Sequence, residues 1–131
     1  MTVWLVCGPP CAGKTTWALT KQDHALIVDH DLIAQALGSD RTHYHQPTYW
    51  RKAEQALGQY VEAIAWGEYD HAVVVRSLAD KAEREAWAER LGAEVVLLIP
   101  DRDTLNQRAA GRDPRTMQAI DHWFDTYNAT I

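Results

Sequence analysis

Four short apolar runs, separated by stretches with helical spacing, organise this chain. Residues 2–7 (TVWLVC), 25–28 (ALIV), 72–75 (AVVV) and 94–99 (EVVLLI) are nearly continuous in apolar character. That is the pattern of strands buried on both faces of a parallel sheet. Between them the period changes. Residues 15–20 open a short helix, and residues 32–37 form a turn or two of helix closed by Gly38. Residues 39–46 (SDRTHYHQ) are polar and aperiodic, hence a loop, and Pro47 stands where prolines begin helices. Over 48–66, Trp50, Ala53, Leu57, Val61 and Ile64 recur at spacings of three and four, one stripe of a long helix ended by Gly67. Asp80 with Glu83 reads as a capping box for a fourth helix, which turns Ala86, Trp87 and Leu91 inward and stops at Gly92. Asp103 is expected to cap a helix running to about Ala110. After a polar turn at 111–114, Met117, Ile120, Phe124 and Tyr127 stripe the last helix.

Strands alternating with helices predict an α/β fold, a four-stranded parallel sheet covered on both faces. Such sheets take ligands at the carboxyl ends of their strands. The loop after the first strand carries the strongest signal. Gly8-Pro9-Pro10-Cys11-Ala12-Gly13-Lys14-Thr15 matches G-x-x-x-x-G-K-[ST] at every fixed position, between a predicted strand and a predicted helix. Gly8, Pro9, Ala12 and Gly13 shape a loop whose backbone N–H groups converge on a phosphate, and Thr16 lies in the first turn of the helix whose positive end faces it. Lys14 supplies a mobile charge for the β- and γ-phosphates, and the Thr15 hydroxyl is a ligand for Mg²⁺.

Length and composition narrow the rest. A chain of 131 residues is expected to form one domain over its whole length. Its net charge of −5 argues against a protein built to grip extended nucleic acid, though a short contact with a nucleic-acid end is compatible with it. No apolar run approaches the ~20 residues that cross a bilayer, and the N-terminus opens directly on a strand rather than a secretory signal. Cys7 and Cys11, the only cysteines, lie in the nucleotide motif, so a reducing cytoplasm is the expected setting. Oligomeric state is not legible.

Four segments taken together (GPPCAGKTTWA, a strand ending in Asp29-His30-Asp31, VVVRSLADKAEREAWAERLGAEV, and DTLNQRAAGR) resemble the P-loop kinases related to 5′-polynucleotide kinases and zeta toxins, ATP-binding kinases of the AAA type. The resemblance spans nearly the whole chain except residues 39–66. It implies a three-layer P-loop NTPase fold with a helical lid, ATP and Mg²⁺ as nucleotide and cofactor, and phosphoryl transfer to a hydroxyl. Asp31 matches the family's proton acceptor, with Asp29 the alternative; a magnesium-water contact and, for Asp29, a helix cap are the other readings. Arg108 and Arg112 match lid arginines that clamp phosphoryl oxygens, Arg108 the stronger; Arg102 and Arg115 are weaker candidates.

Two positions depart from the family. The third strand ends in Arg76-Ser77 where an acidic residue is usual, so Mg²⁺ would rest on Thr15, phosphates and water, with Asp29. Arg76 is expected to be a substrate contact or phosphate ligand, or else to pair with Asp29 or Asp31. Leu32, Ile33 and Ala34 replace a stretch where the nucleic-acid kinases carry an arginine. The missing arginine argues against a 5′-OH polynucleotide as substrate; the acceptor that the resemblance implies is a nucleoside, nucleotide or nucleic-acid hydroxyl. A small metabolite, or a partner-coupled ATPase or switch, is the alternative. Asp29, His43, Arg51 and Arg76 are the expected substrate-side residues, with Tyr49 and Trp50 beside Arg51. His43-x-His45 reads as a substrate loop, since no carboxylate or third histidine stands at metal spacing in the sequence. Trp4, Trp50, Trp66, Trp87 and Trp123 read as core; Trp17 reads as packing on the sheet, with a contact to the adenine as the other reading.

Overall fold

The computed structural model describes residues 1–131. Ten elements follow in the order β1 (Thr2–Cys7), α1 (Lys14–Leu19), β2 (Leu26–Val28), α2 (His30–Ala36), α3 (Pro47–Ala65), β3 (His71–Val75), α4 (Lys81–Leu91), β4 (Glu94–Leu97), α5 (Arg102–Ala109) and α6 (Arg115–Ala129). The strands form one sheet in the order β2-β3-β1-β4, every pair parallel. Trp4 lies opposite both Val73 and Glu94, and Val6 opposite Val75 and Val96, so all four carboxyl ends gather at one edge.

The apolar runs divide by alternation. Val3, Leu5, Cys7, Ala72 and Val74 face one layer, where they pack with Leu57, Val61 and Ile64 of α3 and Leu91 of α4. Val6, Val73 and Val75 face the other, against Ala18 and Trp17 of α1. A strand covered on both faces has no polar side to show, which is why the runs of β1 and β3 are continuous. The run at 94–99 is corrected: β4 is an edge strand that ends at Leu97, and Val95, Leu97 and Ile99 are each more than a third exposed because no helix covers that edge fully. A separate small core joins Leu105 and Ala109 of α5 to Ile120 of α6.

Several expectations at helix level are corrected. Helix α2 begins at His30 rather than Leu32, because Asp29 is its N-cap and accepts from Leu32 N at 3.0 Å. Asp31 therefore sits in a helical first turn, where the helix dipole favours its ionised form. Asp101, not Asp103, caps α5, accepting from Thr104 N at 2.9 Å. In α4 the buried face is set by Arg84, while Ala86 is exposed. The Arg84 guanidinium donates to the carbonyls of Leu78 and Ala79, and Leu78 holds a left-handed φ of 35°, so a charged residue braces a strained loop. The α6 stripe is Thr116, Ile120 and Trp123, with Met117 exposed. Trp66 is 82% exposed because it is the C-cap of α3, beyond the last buried turn. Trp50 is half exposed, and the reason is the cleft described next.

Candidate functional site

The phosphate loop connects β1 to α1 and is fixed from both sides. Gly8 N donates to Ser77 O at 3.2 Å, and Leu98 N donates to Cys7 O at 2.9 Å. A Cβ at Gly8 would run into the Leu98 carbonyl oxygen, so this position accepts only glycine. Cys11 (φ 67°) and Gly13 (φ 90°) both adopt the left-handed conformation, curling the backbone into a concavity ahead of α1. The side chain of Pro9 is buried beneath it. Lys14 Nζ reaches back to the carbonyls of Gly8 (2.7 Å) and Pro9 (2.8 Å), leaving one of its three donors free. Burial lowers the Lys14 ammonium to about 8, against the opposing pull of Cys7, Asp29, Cys11 and Asp31.

The Thr15 hydroxyl donates to Asp29 Oδ2 at 2.7 Å. Asp29 is buried, and its other oxygen caps α2, so one carboxylate joins the loop helix to the end of β2. The acid missing from the third strand thus has a counterpart at the end of the second. Arg76 is not paired with Asp29 or Asp31. Its guanidinium forks onto Glu54 of α3 (3.2–3.4 Å) and lies over the Trp87 ring at 5.2 Å. Glu54 also accepts from His30 Nδ1 at 2.8 Å. Burial raises the Glu54 carboxyl, but these donors outweigh it and hold it below its ordinary value.

Asp31 is held at both oxygens. His43 Nδ1 lies 2.9 Å from Oδ2 and His45 Nε2 lies 2.8 Å from Oδ1, and Ser39 Oγ is 2.6 Å from His45 Nδ1. Burial works to raise the Asp31 carboxyl, but the two imidazoles prevail and keep it below the usual carboxylate range. Two histidines reach one carboxylate because Tyr44 between them is left-handed (φ 50°), a strained conformation in a non-glycine residue. Tyr44 is anchored by Thr116 Oγ1 at 3.2 Å and by Arg115 over its ring at 4.0 Å.

These groups share a cleft of about 1100 Å³ at the carboxyl edge of the sheet. Ala12, Gly13, Lys14, Thr15, Thr16, Asp29, Asp31, His43, Arg76, Arg108 and Arg112 all line it. Arg108, from α5, donates to Cys11 O at 2.9 Å and so rests on the phosphate loop itself. Arg51 does not line the cleft, nor does Tyr49; both open α3 beside Trp50, which does. Arg102 pairs with Asp121, and Arg115 with Asp113. Trp17 packs edge-on against Trp4 at 6.2 Å, in the layer under the sheet.

Residues 3–131 match the family model described as an AAA domain. The chain belongs to this AAA-domain family. It is thus a nucleotide-binding P-loop domain of the kinase-like type, with the α/β fold of P-loop NTPases. A solved structure named as a "putative kinase" from Chloroflexus aurantiacus is similar in fold, with a TM-score of 0.50 and 16% identity over 91% of this chain and 74% of that one. No curated protein matches. No helix is long and apolar enough to cross a membrane.

Within this AAA domain, Glu54 and His30 are the site residues that sequence reading missed, and His45, read as part of a substrate loop, has Asp31 as a partner that the sequence did not show. Glu54 lies on α3 in the region without a motif, and only the packing of α3 on α2 brings it to His30 and Arg76. Its signal was slight: a carboxylate one residue from the buried stripe position Ala53.

The two cysteines provide a check on the loop. Burial pushes the Cys7 thiol up to about 11, whereas Cys11 is partly exposed in the concavity. A maleimide reagent at neutral pH is expected to modify Cys11 alone in the folded protein, and saturating ATP should slow that reaction severalfold. Modification of Cys7 at a comparable rate, measured by peptide mass spectrometry, would contradict the packing of β1.

Proposed function

We propose that this domain is an ATP-dependent phosphotransferase that moves the γ-phosphoryl group to a hydroxyl of a nucleoside, nucleotide or nucleic-acid end. One observation carries the reading: an ionised, partly buried carboxylate, Asp31, stands in the same cleft as Lys14, Thr15 and Arg108. A hydrolase needs a positioned water, but a kinase needs a group that orients an alcohol and takes its proton. Asp31 is suited to that. Its Oδ1 is anchored by buried His45, whereas its Oδ2 is held by half-exposed His43, which an incoming hydroxyl can displace. His45, still on Oδ1, then braces the carboxylate as the proton arrives at Oδ2.

Lys14 is one flexible charge away from the β- and γ-oxygens once it leaves the Gly8 and Pro9 carbonyls. Arg108, already on the loop, and Arg112 supply the clamp from the opposite side. When bound, Mg²⁺ neutralises charge on the transferring phosphates. The residues that would hold it are Thr15, through its hydroxyl oxygen, and Asp29, whose carboxylate contacts that hydroxyl. The donor set, one hydroxyl and one carboxylate with room for water, suits a hard cation.

The acceptor reading rests on flat surfaces. Trp50 is half exposed, its ring 5.6 Å from that of His30, and with Tyr44 it lines the cleft beside Asp31. Such rings stack on any nucleobase. The net charge of −5 disfavours a long polyanion, so a small acceptor or a single end is the better fit. Two unpaired thiols support a reducing, cytoplasmic setting, and a family match over 3–131 supports a single working domain. The test is a γ-³²P transfer screen across nucleosides, nucleotides and oligonucleotide 5′ ends, with sugars as controls. Label on a nucleoside-containing product supports the reading; label only on sugars overturns the acceptor class.

A further inference from the structure

His30, Asp31 and His45 each offer one ligand atom, and these three atoms lie within 4.8 Å of one another. In sequence His30 and His45 are fifteen residues apart and no spacing rule joins them; the packing of α2 beneath the 39–46 loop does. Around a tetrahedral zinc ion ligand atoms stand about 3.4 Å apart, from Zn–N and Zn–O lengths of about 2.0–2.2 Å. The cluster is therefore within a small adjustment of that geometry.

The surrounding bonds favour a metal over a chance grouping. His30 Nδ1 faces the carboxylate of Glu54 and so carries the proton, which leaves a lone pair on Nε2. That Nε2 is buried and has no partner in the chain. A buried acceptor without a donor is costly, and a cation satisfies it. His45 is arranged alike: its side chain is 1% exposed, Ser39 Oγ is placed to take an Nδ1 proton, and Nε2 faces Asp31. Carboxylate or hydroxyl partners on the far nitrogen are what orient metal-binding histidines. His43 steadies the second oxygen of Asp31.

We propose that His30 Nε2, His45 Nε2 and Asp31 bind a divalent transition-metal ion of the zinc type, apart from the Mg²⁺ position at Thr15. Two imidazoles and one carboxylate suit such an ion and reject Mg²⁺, which takes oxygen ligands. Binding moves the His45 proton to Nδ1 and occupies Asp31. The ion consequently shuts off phosphoryl transfer without displacing nucleotide. That consequence rests on the role of Asp31 proposed above; the metal site itself does not.

The test uses the full chain and two readouts. Metal-free protein is titrated with Zn²⁺ by calorimetry, and with Co²⁺ by visible absorption, in millimolar Mg²⁺. One ion per chain with tetrahedral cobalt bands is expected. His30→Ala and Asp31→Asn should each weaken binding about 100-fold or more, and Glu54→Gln about 10- to 100-fold. Absence of stoichiometric binding below about 10 µM (the weak limit for a built site), or wild-type affinity retained by His30→Ala and Asp31→Asn, overturns the site. Circular dichroism of both variants guards against loss of fold. If zinc binds yet leaves wild-type transfer unchanged, the inhibitory role falls; a protein that binds zinc but never transfers phosphate keeps the site and sinks the kinase reading.

Discussion

Lys14→Met is expected to weaken ATP binding by about two orders of magnitude and to remove phosphoryl transfer. The side chain replaces two carbonyl contacts with contacts to charged phosphate oxygens, and charge-assisted hydrogen bonds contribute about 1.5–3 kcal/mol each. Methionine keeps the aliphatic stem, so the loop should still fold. The pH dependence has a definite sign. Burial lowers the Lys14 ammonium from 10.5 to about 8, so the unfolded chain holds that proton more tightly. Stability of the nucleotide-free protein should therefore rise as pH climbs from about 8 towards 10.5. Nucleotide affinity should fall over the same window, because the ammonium is being lost. Lys14→Met should flatten the parts of both slopes that come from this group. Calorimetric Kd and thermal midpoints between pH 7 and 10.5 measure both, and unchanged ATP affinity in the variant would contradict the role of the phosphate loop.

Asp31→Asn is expected to separate binding from chemistry. The amide keeps the shape and still accepts a bond from His45 through its oxygen, so the fold and the ATP site should survive. It cannot take a proton. General-base removal typically costs 10²–10⁴-fold in rate, and kcat should fall by roughly that factor while ATP affinity stays within about twofold. An equal loss of both would mean that Asp31 serves structure alone. The same variant also weakens zinc binding, and measuring kcat on metal-chelated protein keeps the two roles apart.

The legible part of this molecule is the part set by local chemistry. Strands covered on both faces must be apolar without interruption, and β1 and β3 were readable for that reason. The phosphate loop was readable because glycine at Gly8 and Gly13, and lysine at Lys14, answer steric and electrostatic demands within eight residues. The end of β2 was placed correctly, but Asp29 proved to bind both Thr15 and the α2 backbone, a double role that no single spacing encodes. What the sequence hid depends on distance along the chain. Arg76 was expected to meet a phosphate or an aspartate, and its partner is Glu54, twenty-two residues earlier. His43 and His45 were read as a loop without a carboxylate; Asp31, twelve and fourteen residues away, turned out to be theirs. Trp50 fell on a helical stripe, yet the stripe begins where α3 borders the cleft rather than the core. Periodicity reports that one face of a helix is apolar, not whether protein or ligand will cover it.

The central claim is that this cleft passes a phosphoryl group to an alcohol, and the fate of the γ-phosphate under single turnover tests it most directly. Metal-chelated protein with Mg²⁺, labelled ATP and the best acceptor from the screen should place most of the label on the acceptor hydroxyl, with inorganic phosphate a minor product, and Asp31→Asn should slow the appearance of labelled acceptor by roughly 10²–10⁴-fold. Label appearing only as inorganic phosphate, at the same rate with and without every acceptor, would contradict it.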